Sequence, residues 1–208
     1  MRIAKTVLVA MLFLFAASTT LAQEEETLLG GGLESGGYGA PVVKFTTIKG
    51  EFGVMVGGYG GWLINHVFMI GGGGFGLVTS HAPESAGSFY GIPLDGRMEF
   101  GYGGGILEYI FSPMSMVHSS VTVLVGAGSV SYGMHGYDSW DMWNGYTQQR
   151  DQVFVLEPSL NVELNVTSFF RVNAGASYRY VSGVSMYGLK NADLSGASIN
   201  VALKFGAF

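Results

Sequence analysis

From Tyr38 to the terminal Phe208, apolar and polar residues alternate in eight runs, the period-2 signature of strands with two different faces. The runs are Tyr38–Lys49, Glu51–Leu63, Val67–His81, Arg97–Phe111, Ser119–Gly133, Gln152–Val166, Phe169–Val184 and Ala197–Phe208. Each reaches the roughly 9–11 residues that a tilted strand needs to cross a bilayer core. Lys49-Gly50, Asn65-His66 and Thr167-Ser168 read as tight turns and Ser112–His118 as a short link. Ala82–Gly96, Met134–Asp151 and Ser185–Gly196 read as loops. An even count lets the first and last strands pair, with both termini on the rim of short turns. The predicted fold is all-β: an eight-stranded antiparallel up-and-down transmembrane β-barrel over 38–208.

The last three runs orient the faces. Phe154, Leu156, Leu160, Val162, Leu164 and Val166 oppose Glu157, Ser159, Asn161, Glu163 and Asn165. Phe170, Val172, Ala174, Ala176, Tyr178 and Tyr180 oppose Arg171, Asn173, Gly175, Ser177 and Arg179. Ile199, Val201, Leu203 and Phe205 oppose Ser198, Asn200, Ala202 and Lys204. A soluble sandwich would bury the apolar set, whereas a membrane barrel turns it outward and gathers the charges in the lumen. Glu157 and Glu163 beside Arg171 and Arg179, with Lys204 beyond, suit a paired interior that plugs so narrow a barrel.

Two bands of aromatic residues favour the membrane. Trp62, Phe68, Tyr109, Phe111, Phe169, Phe170 and Phe208 fall beside the short turns. Phe89, Tyr90, Phe100, Tyr102, Tyr132, Phe154, Tyr178 and Tyr180 fall toward the other rim, as interfacial girdles do. Composition agrees: the chain is 48% hydrophobic but only 12% charged, against about 25% in typical globular proteins.

The first 22 residues have the layout of a cleaved secretory signal, with Arg2 and Lys5, an apolar stretch Val7–Ala17, and Thr20-Leu21-Ala22 as cleavage site. Gln23–Gly37, acidic and then glycine-rich, reads as a flexible leader. Removing Arg2 and Lys5 from the ten basic residues leaves eight against fifteen acidic, a net charge near −7. That balance gives no support to nucleic-acid binding. Cysteine is absent, so neither a disulfide nor a lipobox acylation site exists.

On these features the chain resembles the small eight-stranded outer-membrane barrels of Gram-negative bacteria. The resemblance covers Tyr38–Phe208 in architecture, together with the export signal and the terminal aromatic. In that group, a terminal aromatic in phase with alternating apolar positions signals barrel insertion. Here Ile199, Val201, Leu203, Phe205 and Ala207 are one residue out of step with Phe208. The group hosts unrelated functions, so the resemblance implies no activity.

Little points to catalysis. Gly71-Gly73-Gly76 matches G-x-G-x-x-G, but no helix follows to present amides to a phosphate. His66, His81, His118 and His135 lack metal-ligand spacing and read as surface or turn residues. Ser80-His81 and His118-Ser119 are neighbours on a strand and so point to opposite faces. The expected role is therefore non-enzymatic, structural or interacting, without cofactor, within the outer membrane and its lipid. A lipid-modifying enzyme, a small pore and a soluble exported barrel are the alternatives.

Two features could bind a protein partner. Tyr137, Trp140, Trp143 and Tyr146 stand among Asp138, Asp141 and Asp151 in the longest loop, a composition suited to sugars, proteins or cations. Glycines cluster at mid-strand, and Gly58, Gly73, Gly104 and Gly126 would align into a belt across strands two to five. Such a belt serves either sheet curvature or close docking of a lipid chain or protein.

Overall fold

The computed structural model describes residues 34–79, 88–89, 92–93, 96–134, 150–186 and 188–208. Alternation produces the expected eight barrel strands: β1 (Ser35–Ile48), β2 (Glu51–Ile64), β3 (Phe68–Leu77), β4 (Gly96–Phe111), β5 (Val117–Met134), β6 (Arg150–Asn165), β7 (Phe170–Ser182) and β8 (Gly196–Ala207). Each pairs antiparallel with its neighbours in sequence, and β8 pairs with β1 to close the barrel. A separate two-residue ribbon, Ser88–Phe89 with Ile92–Pro93, lies in the β3–β4 connection.

Strand limits differ from the sequence reading in a few places. β3 stops at Leu77 rather than His81, and β6 begins at Arg150, which places Asp151 in a strand. The predicted loop after β7 contains one helical turn, α1 (Asn191–Leu194). The rims are also less uniform than expected, because Lys49-Gly50 joins β1 to β2 on the rim that carries the long connections. Both residues have positive φ, 53° and 79°, the geometry of a two-residue turn whose twist matches a hairpin.

The faces fall as the last three strands predict. Glu157, Asn161, Glu163, Arg171, Asn173, Ser177, Arg179, Ser198, Asn200 and Lys204 are buried inside the barrel. Leu160, Val162, Leu164, Tyr178, Tyr180, Ile199, Val201, Leu203 and Phe205 are exposed outside. Water would reverse this arrangement, since contiguous exposed apolar surface is normally small on soluble monomers. Pro158 has no N–H to donate, and the β6–β7 ladder is interrupted between Leu156↔Tyr180 and Ser159↔Ser177.

The aromatic bands need correction. Trp62, Phe68, Tyr109, Phe111 and Phe169 are exposed at the short-turn end, and Phe154, Tyr178 and Tyr180 at the other. Phe45 and Phe52, stacked on each other outside β1 and β2, extend the second band. Phe100 and Tyr102 instead point inward and are buried, because even-numbered β4 residues face the lumen. Phe208 likewise follows the lumen phase of Asn200, Ala202 and Lys204, stacks on Tyr38 at 5.4 Å, and lies 3.9 Å from the Arg171 guanidinium. The step out of phase noted in the sequence is what folds the terminal ring inward. Phe89, Tyr90 and the Tyr132 side chain lie outside the described part.

Candidate functional site

Two buried ionic clusters fill the lumen. Near the short-turn rim, Lys204 Nζ donates to Glu108 Oε1 at 2.7 Å and to Glu163 Oε1. The Ser120 hydroxyl lies 2.7 Å from Glu108 and 2.8 Å from Glu163, and Asn173 Nδ2 donates to Glu163 at 3.1 Å. The Tyr38 hydroxyl donates to Glu108 Oε2. Higher up, Lys44 Nζ donates to Glu157 Oε1 at 2.8 Å, while Tyr102 and Ser177 donate to the same carboxylate at 2.5 and 2.6 Å.

The carboxylates therefore pair with lysines rather than with the arginines that the sequence places beside them. Arg179 is fully buried and donates to the Leu194 carbonyl of α1 at 2.7 Å, with Thr46 Oγ1 at 3.4 Å. It thereby ties the 183–195 segment over the barrel mouth, where Ile48, Met55, Val130, Val155, Val181 and Leu194 form an apolar layer. Between the clusters remains a void of about 40 Å³, lined by Lys44, Thr122, Glu157, Asn161, Asn173 and Asn200. This space holds a water molecule or so.

Sequence reasoning missed Lys44, Glu108 and His118 as lumen residues. The first two had a legible signal: each is a lone charge inside an apolar run, Val42-Val43-Lys44-Phe45 and Ile106-Leu107-Glu108-Tyr109-Ile110. His118 is buried, not a surface or turn residue; Nε2 lies 3.3 Å from Glu163 Oε2 and Nδ1 3.1 Å from the Ser115 carbonyl. It faces a carboxylate and a carbonyl rather than a serine hydroxyl. His66 sits in the β2–β3 turn, 2.5 Å from Glu34. His81, His135, Tyr137, Trp140, Trp143, Tyr146, Asp138 and Asp141 lie outside the described residues.

Asp151, in β6, binds the segment that follows β7. Its carboxylate accepts from the Ser185 amide at 2.5 Å, the Met186 amide at 2.9 Å and the Ser185 hydroxyl at 3.0 Å, anchoring the start of the mouth segment. Asp151→Ala should accelerate amide exchange at Ser185 and Met186 while the barrel strands keep their protection. Hydrogen exchange in micelles reads this directly, and unchanged exchange there would dismiss the anchor.

Three of the four glycines share a rung, Gly73↔Gly104↔Gly126, whereas Gly58 pairs with Gly74 and lies one residue off it, on the other face. Gly73, Gly104 and Gly126 lie in the lumen phase, where a Cβ would meet the Gly58 carbonyl oxygen at 2.7 Å, that of Val125 at 2.2 Å and that of Gly103 at 2.1 Å. No real Cβ tolerates such contacts, so these glycines let β2–β5 bend tightly around Tyr59, Phe75 and Tyr102. Gly58 lies in the outward phase with Gly60, Gly72, Gly74, Gly76, Gly101, Gly103 and Gly105. Around Gly76 and Gly105 a Cβ would have open space. Curvature accounts for the inner set and leaves part of the outer set unexplained.

Comparison with solved structures supplies the fold relationship. Neisserial surface protein A superposes with a TM-score of 0.57 at 13% identity, covering 84% of this chain and 99% of that one. This chain has the fold of the small eight-stranded outer-membrane barrels. Ail, the attachment invasion locus protein of Yersinia pestis, aligns at a TM-score of 0.45 and 10% identity over 83% of this chain and 97% of its own. Its complex with the heparin analogue sucrose octasulfate gives 0.47 and 12% over 84% and 98%. No family model and no curated protein matches the sequence.

Proposed function

We propose that this protein is exported by the signal at residues 1–22, inserts in the outer membrane, and acts there as a non-enzymatic, non-conducting barrel with a structural or interaction role. The observation that carries the reading is the filled lumen: Lys44–Glu157 and Lys204–Glu108–Glu163 occupy the space an ion path would need. Their buried side chains face inward while the outside is apolar, an inversion that only lipid stabilises. The protein should give no unitary conductance in planar bilayers. Steady channels that change on substituting Glu157 or Arg179 would overturn the plug and favour a pore.

Interaction then falls to the outer surface and the rim. Gly58 and the outward glycines beside it form a docking face, free of side chains where neighbouring strands carry Leu, Val and Phe. The aromatic set Tyr137, Trp140, Trp143 and Tyr146 supplies recognition at the rim, for a protein or glycan partner. An envelope assembly of which the barrel is one subunit fits both features. Tandem purification of the native complex from membranes, with and without Trp140→Ala and Trp143→Ala, tests the rim; full retention of every associated species by the variant would remove it.

A further inference from the structure

We propose that Met114 and Met116, in the β4–β5 turn, form a site of reversible oxidation: paired thioethers that take up oxygen from hydrogen peroxide at the short-turn rim and are then reduced by another protein. The inference goes beyond the structural and interaction role and does not depend on it. It begins from exposure. Met114 and Met116 are 76% and 70% exposed, the two most open large apolar side chains among the described residues. Met55, Met69, Met98 and Met186 are buried, as methionine usually is when it fills gaps in a core.

Position keeps the pair out of the acyl layer. The link Ser112-Pro113-Met114-Ser115-Met116 follows Phe111, the last residue of β4. Tyr109 and Phe111 face outward in the aromatic band that marks the headgroup level, so the turn projects on its water side. Side chains this open hold nothing together; hydrogen bonds hold the turn instead. The Ser115 N–H donates to the Ser112 carbonyl at 2.9 Å, and Asn165 Nδ2 donates to the Pro113 and Ser115 carbonyls at 3.0 and 2.9 Å. The Asn165 N–H donates to the Met116 carbonyl at 2.8 Å, and His118 Nδ1 lies 3.1 Å from the Ser115 carbonyl. The backbone is thus fixed from β6 and from the lumen, independently of either sulfur. A polar sulfoxide at position 114 or 116 leaves these contacts in place.

The sulfur chemistry follows from that exposure, which selects the methionines that oxidise. A lone pair on the thioether sulfur attacks one peroxide oxygen. The S–O bond forms as the O–O bond breaks, and the departing hydroxide takes the proton of the transferred oxygen and leaves as water. Sulfur loses two electrons and the peroxide gains them. The return step releases the oxygen as water and converts two thiols to a disulfide. This chain has no cysteine, so thioethers are the only oxidisable sulfur it offers, and the thiols belong to a separate reductase. Met55 shows the contrast: its Sδ accepts from Arg179 Nη1 at 3.1 Å beneath the mouth segment, where a sulfoxide would disturb the apolar layer. The fold shields that sulfur and presents the pair whose oxidation it tolerates.

Dilute hydrogen peroxide applied to the full chain in liposomes tests the site. The reagent is small and neutral, so it crosses the bilayer whichever way the barrel points. Peptide mass spectrometry then follows each methionine with time. Positions 114 and 116 should gain one oxygen each at a rate close to that of free methionine in the same tube, while 55, 69, 98 and 186 stay reduced. The barrel should keep its heat-sensitive electrophoretic migration with both sulfoxides present. A mixture of the two stereospecific methionine sulfoxide reductases, supplied with a dithiol, should remove both oxygens. Met114→Leu combined with Met116→Leu should abolish the fast phase and leave the migration unchanged. Oxidation of the pair no faster than that of the four buried methionines overturns the site. Loss of the folded form on oxidation, or sulfoxides that the reductases leave untouched, overturns its reversibility.

Discussion

Replacing Lys204 by Met should destabilise the folded barrel by about 3–5 kcal/mol, the usual consequence of removing one partner from a buried ionic cluster. Lys204 is fully buried and joins Glu108 to Glu163, so its loss leaves two carboxylates facing each other beside Ser120, Asn173, Tyr38 and His118, with Arg171 as the remaining cation near them. Like charges in a low-dielectric site repel strongly. Adding Glu108→Gln and Glu163→Gln to Lys204→Met removes both the repulsion and the buried charge, and should restore most of the lost stability. Equilibrium urea unfolding in micelles, followed by tryptophan fluorescence, measures all three states. A single variant as stable as the parent would mean that the cluster is solvated, and hence that the lumen is open.

Gly104→Ala and Gly126→Ala should each cost more than the roughly 1–3 kcal/mol typical of overpacking, and the pair together should prevent closure. The two residues oppose each other across β4 and β5, and each added Cβ would lie 2.6 Å from the other's Cα as well as against a carbonyl oxygen. Neither contact can be relieved by a rotamer change, because both partners are backbone. Gly105→Ala, one residue away on the outer face, meets nothing within 4 Å and should fold normally. The contrast appears as loss or retention of the heat-sensitive shift in electrophoretic migration that marks a folded barrel. Normal folding of the Gly104→Ala, Gly126→Ala double variant would contradict the tight inner curvature.

The strands and their faces could be read from the sequence because period-2 alternation is a local property, and β6, β7 and β8 display it without interruption. The interior pairing could not. Which carboxylate meets which cation depends on the stagger between strands distant in sequence, and Lys44 reaches Glu157 across 113 positions. In the sequence Phe100 and Tyr102 read as part of the outer band, because glycines at 101 and 103–105 erase the alternation that fixes phase elsewhere. The same erasure hid the two faces of the glycine belt. Phe208 shows the opposite case: its phase was plain in the sequence, and following that phase places the ring in the lumen.

The plugged, inverted barrel is tested most directly by single cysteines, since the chain has none of its own. Ser120→Cys and Ser177→Cys probe the lumen with near-isosteric changes, while Ala174→Cys and Ala176→Cys probe the outer face of β7. In protein reconstituted into liposomes, a water-soluble thiosulfonate should modify none of the four. A lipid-soluble maleimide should label only positions 174 and 176. Rapid modification of positions 120 and 177 by the aqueous reagent would reveal an open lumen, and its modification of 174 and 176 would place the apolar face in water.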